Sequence, residues 1–67
     1  MIDYADAILE LRAKLDLSQE ALAEKLGVSF SSVNRWENQR HEPTKIVKVK
    51  LKKLFNENNI ELVETEE

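Results

Sequence analysis

The chain has one glycine among its 67 residues, Gly27, and it stands between two segments that share a syntax. Leu17-Ser18 precedes a stretch that puts Leu22 at its fourth position, and Val28-Ser29 precedes one that puts Val33 at its fourth position. A serine at such a boundary can accept a hydrogen bond from the free amides of a helix's first turn, and the apolar residues either side of it can clasp each other. The two serines lie 11 residues apart, which leaves about two turns for the first of these helices. Gly27 follows Leu26, where a left-handed residue ends a helix without a steric penalty. The pattern predicts helix, tight turn, helix.

Two longer helices flank this unit. Tyr4, Ile8, Leu11 and Leu15 recur at steps of 4, 3 and 4, one apolar stripe of a helix from about Tyr4 to Leu15, with Asp3 as its N-cap. After Pro43, a helix is expected from Thr44 to about Asn58, with Ile46, Val47, Leu51, Leu54 and Phe55 as its apolar face and five lysines around the rest. No run alternates apolar with polar, so the class is all-α: a compact bundle of four to five helices. The domain is expected over residues 1–58. Residues 59–67 read as a frayed acidic tail, although Ile60, Leu62 and Val63 could still dock.

Composition excludes more than it identifies. There is no cysteine and one histidine, so no disulfide, no thiolate metal site and no catalytic or metal-ligating cluster is expected. No phosphate-cradling glycine loop is present, and neither an enzyme, a cofactor nor a small-molecule substrate is indicated. No apolar run approaches the roughly 20 residues of a membrane span, and the acidic start, Met1-Ile2-Asp3-Tyr4, is unlike a signal peptide; the expected location is the cytoplasm. The net charge of −3 hides a pattern. Residues 1–34 carry −3, residues 35–53 carry +5 and residues 54–67 carry −5. Because screening confines charge effects to about 8 Å, a basic block between acidic flanks can meet a polyanion locally; a lysine-rich solvated face would have the same composition.

The spacing is more specific. Over Gln19 to Asn38, apolar residues fall at the fourth, eighth, tenth, fifteenth and eighteenth places (Leu22, Leu26, Val28, Val33, Trp36), with Ala23 at the fifth and Gly27 at the ninth. Together with Leu11-Arg12, Leu17-Ser18-Gln19-Glu20, Arg35-Trp36-Glu37 and Pro43, this string resembles the phage repressor/Cro-like (Xre-type) helix-turn-helix family across about residues 4–55. The resemblance implies a lambda-repressor-like fold and sequence-specific binding of double-stranded DNA by a transcriptional regulator, a repressor acting as a homodimer on a two-fold operator. One departure stands out: the family has glycine after Trp-Glu-Asn, and this chain has Gln39.

With Val33, Trp36 and Glu37 turned inward, Ser31, Asn34, Arg35 and Asn38 point outward and Phe30 lies at the rim. These types suit base edges: arginine forks onto guanine, asparagine onto adenine, and an apolar ring meets a thymine methyl. By resemblance, Ser29, Phe30, Ser31, Asn34 and Arg35 occupy base-reading positions. Gln19, in a first turn whose amides suit a phosphate, sits where the family contacts the DNA backbone; Asn38, Arg40, Thr44 and Lys45 are the matching candidates opposite. Lys48, Lys50, Lys52 and Lys53 are expected to face solvent. Glu37, at a helix C-terminus, opposes the helix dipole and needs a cation; the resemblance pairs it with Arg12 in a partly buried, structural ion pair. The rival reading is a protein-interaction module such as an antitoxin, or the DNA-targeting domain of a larger protein. The polar outer face of the Ser29–Glu37 helix speaks against the first of these, and the lack of an aromatic stacking platform speaks against RNA.

Overall fold

The computed structural model describes residues 4–62, which form four helices: α1 Tyr4–Leu15, α2 Gln19–Leu26, α3 Phe30–Glu37 and α4 Lys45–Glu57. Each predicted helix is present, and the all-α reading holds. Asp3, the expected cap of α1, lies outside the described residues. Thr44 is not the first residue of α4 but its cap: its hydroxyl accepts the Val47 amide at 3.5 Å. Ser18 and Ser29 cap α2 and α3 as their positions require, accepting the amides of Ala21 at 3.0 Å and Ser32 at 3.2 Å.

All four helices stop by the same device. Asp16, Gly27, Gln39 and Asn59 follow α1 to α4 with φ of +53°, +73°, +59° and +57°. In each case the next residue's amide reaches back five positions: Leu17 to Arg12 at 2.9 Å, Val28 to Ala23 at 2.9 Å, Arg40 to Arg35 at 2.9 Å and Ile60 to Phe55 at 2.8 Å. This reversal satisfies carbonyls that the helix itself leaves open. Two of the ends gain a cation from another helix. Lys50 of α4 donates to the Leu26 carbonyl at the end of α2 at 3.2 Å, and Lys14 of α1 donates to the Asn58 carbonyl just past α4 at 2.9 Å. Each lysine meets the negative end of a helix dipole.

The four helices enclose one core. Ile8 and Leu11 from α1, Leu22 and Leu26 from α2, Val33 from α3 and Leu51 and Phe55 from α4 are fully buried, joined by Tyr4, Ala7, Ala23, Trp36 and Val47. Ala23 is small where α2 packs, and Leu17 and Val28, each just ahead of a serine cap, lie against the same cluster. Packing continues past the boundary expected at residue 58. Ile60 is buried and Leu62 sits at the edge of the core, so these two residues dock rather than fray; Val63 and the rest of the tail lie outside the described residues. The chain reversal at Asn59 turns Ile60 inward, and the lost exposure of its side chain stabilises that turn by about 2 kcal/mol.

A Cβ at Gly27 would meet nothing closer than the Lys50 ammonium at 4.0 Å, so its role is conformational rather than steric. Gly27→Val is expected to lower the melting temperature markedly, since a β-branched residue strongly resists the left-handed region. Gly27→Asn is expected to cost much less. Equal losses in thermal denaturation would show that strain at φ +73° is not the reason for the glycine.

Candidate nucleic-acid interface

The site is assembled on α3, and what holds α3 in place comes from α1. The Arg12 guanidinium donates through Nη1 to both carboxylate oxygens of Glu37, at 2.9 and 3.0 Å, and through Nε to the Leu17 carbonyl at 3.1 Å. One side chain thereby ties α1 to the turn before α2 and to the last residue of α3. The Glu37 side chain retains 6% of its exposure and Arg12 24%. A carboxylate that enclosed, at the wrong end of a helix dipole, depends on its partner.

Gln19 extends the network. Its Nε2 donates to Glu37 Oε1 at 2.7 Å, and its Oε1 accepts from Asn34 Nδ2 at 3.3 Å. Asn38 Nδ2 in turn donates to the Asn34 carbonyl at 2.7 Å and to Asn34 Oδ1 at 3.2 Å. Three residues expected to meet DNA separately, Gln19, Asn34 and Asn38, are thus one hydrogen-bonded chain anchored on Glu37. Asn34 is half-buried as a result, rather than fully outward. The separations in sequence, 15 between Gln19 and Asn34 and 18 between Gln19 and Glu37, leave no local signal by which this link could be read.

The other candidates divide in two. Ser29 and Thr44 spend their hydroxyls on caps, and Ser29 Oγ also lies 3.0 Å from Ser32 Oγ. Phe30, Ser31, Arg35, Arg40 and Lys45 are exposed, and the guanidinium groups of Arg35 and Arg40 make no hydrogen bond among the described residues. Phe30 leaves 48% of its surface open, a rim position for an apolar ring. Two of the lysines expected in solvent are otherwise engaged. Lys48 is half-buried, pairs with Glu42 at 3.1 Å and lies 5.2 Å above the Tyr4 ring; Lys50 holds the end of α2 while remaining exposed, as Lys52 and Lys53 are. The backbone path after α3 is also resolved: Asn38 has φ −91° and Gln39 takes the left-handed conformation itself, where the resembling family has glycine.

A short helix, a left-handed glycine turn and a second, outward-facing helix held against a third define a helix-turn-helix domain. A family model described as Helix-turn-helix matches residues 8–62, and the chain belongs to this family, the Xre/lambda-repressor-like one. Its members are DNA-binding transcriptional regulators, and that kind of function extends to this chain. Comparison with curated proteins and with solved structures finds no match. Among the described residues, no helix is long and apolar enough to cross a membrane, and no three side chains are grouped to hold a metal ion.

Two stability measurements check this account. Arg12→Ala leaves an enclosed carboxylate with Gln19 alone and is expected to cost about 3 kcal/mol in denaturant titration; a loss under about 1 kcal/mol would mean that solvent already sustains Glu37. Gln39→Gly removes left-handed strain and keeps the Gln39 amide's bond to the Trp36 carbonyl, and a gain of about 0.5–1 kcal/mol is expected. Destabilisation by Gln39→Gly would show that the glutamine side chain contributes more than its backbone costs.

Proposed function

We propose that the chain is a sequence-specific DNA-binding repressor that sets α3 in the major groove. The observation that supports this best is the contrast between the two sides of α3. Its inner side is fixed by Val33, Trp36 and the Arg12–Glu37 pair, while Arg35 is exposed on the outer side, its guanidinium donors uncommitted among the described residues. A rigid helix that presents an unpaired arginine suits a guanine edge. Ser31, Asn34 and Phe30 complete the reading face, with Ser29 at its start. Arg40 and Lys45, beyond the C-terminal end of α3, are the phosphate contacts on that side together with Asn38 and Thr44; Gln19, with one Nε2 hydrogen beyond its bond to Glu37, is the contact at the start of α2.

One reading helix covers few base pairs, so the functional unit is a homodimer on a two-fold operator with half-sites about 34 Å apart. Occupying such a site excludes other proteins from it, and repression in the cytoplasm is the simplest outcome. The test is binding to a panel of single-base operator variants at two salt concentrations. Arg35→Ala is expected to cost about 1–3 kcal/mol on the best site and to relax preference at one base pair. Arg40→Ala is expected to weaken every site alike and to lower the salt slope by about one unit. Equal weakening of all variants by Arg35→Ala would remove that residue from base reading. A wild-type protein with no preference among duplexes would favour the protein-interaction reading instead.

A further inference from the structure

The chain of hydrogen bonds that starts at Glu37 has a direction, and the direction is imposed. An ionised carboxylate can only accept. Gln19 must therefore turn its NH2 toward Glu37, which leaves its Oε1 toward Asn34. Asn34 must answer with its own NH2, at 3.3 Å, and its Oδ1 is left to accept from Asn38 at 3.2 Å. Neither amide can flip without setting like against like. Asn34 has one N–H bound to Gln19 and one free, and one Oδ1 lone pair bound to Asn38 and one free. A donor beside an acceptor, held at fixed orientation, matches the N7 acceptor and N6 donor of adenine in the major groove.

We propose that Gln19 is a specificity-determining positioning residue: by relaying the fixed polarity of the part-buried Glu37 to Asn34, it orients the Asn34 amide to select adenine. This role rests on the reading of α3 as the base-reading helix and goes beyond a phosphate contact by Gln19. The gain is one of preorganisation, since an asparagine free to rotate presents its donor and acceptor in either order and loses rotamer entropy on binding. Arg12 acts one step further back, by holding the Glu37 carboxylate in place.

Gln19→Met keeps the side chain's length and removes both amide atoms, so it separates the two roles. In the free protein, side-chain 15N relaxation should show the Asn34 NH2 ordered in the wild type and mobile in Gln19→Met. On duplexes carrying each base pair at each operator position, the wild type should favour A·T at one position, Asn34→Ala should abolish that preference, and Gln19→Met should reduce it roughly 3- to 10-fold. At that position the double variant should match Asn34→Ala, because the effect of Gln19 passes through Asn34. The proposal is overturned if Gln19→Met weakens all duplexes equally with the preference intact, which is phosphate contact alone, or if the Asn34 amide is equally mobile in both proteins. An ordered amide in a wild type that prefers no duplex would mean that the DNA-reading function itself fails, and the specificity role with it.

Discussion

The Arg12–Glu37 pair is the interaction on which the arrangement of the rest depends. Hydrophobic burial brings the four helices together, but contacts between Ile8, Leu11, Val33 and Trp36 are non-directional and would tolerate small rotations of α3. The guanidinium does not. It holds a carbonyl in the turn before α2 and a carboxylate at the end of α3 with separate donors, so the three elements that build the site share one fixed point. A carboxylate as enclosed as Glu37 makes that point stringent: any rotation that breaks the pair leaves a desolvated charge, a cost of several kcal/mol. The same charge then orders Gln19, Asn34 and Asn38, so the electrostatics that position α3 also polarise the surface it presents.

Helix ends consume much of the polar chemistry of this small domain. Four left-handed residues, three of them not glycine, close the helices, and two lysines from neighbouring helices meet the open carbonyls. Asparagine and aspartate tolerate the left-handed region comparatively well; glutamine has no such advantage, and Gln39 is the one place where the backbone after α3 holds strain. That strain lies next to Arg40, whose amide closes the reversal by bonding the Arg35 carbonyl. The two exposed arginines are therefore joined through the main chain, one on the outer face of α3 and one at its exit. The basic block of residues 35–53 is correspondingly less uniform than its charge suggests. Lys48 and Lys50 serve the fold, and Arg35, Arg40 and Lys45 remain open for a polyanion.

What the sequence by itself determined is the local architecture. The caps at Ser18 and Ser29, the stop at Gly27 and most of the apolar stripes are short-range features, decided within four or five residues of chain by backbone sterics, side-chain length and helical period. So are the identities of the helices and the inward placement of Val33 and Trp36. Ile46, expected on the apolar face of α4, is instead 72% exposed. The reversals at Asp16, Gln39 and Asn59 were less legible, because residues other than glycine enter the left-handed region less often, and an aspartate or asparagine near a helix end does not by itself mark the turn. Only the tertiary structure decided how the polar residues are used. Whether Lys50 reaches the end of α2 and whether Gln19 faces outward or binds Glu37 and Asn34 depend on groups 15 to 24 residues away, and whether Ile60 frays or docks depends on a core drawn from all four helices. A hydrogen bond is made or lost over a few tenths of an ångström, and positions that fine exist only once the helices have packed.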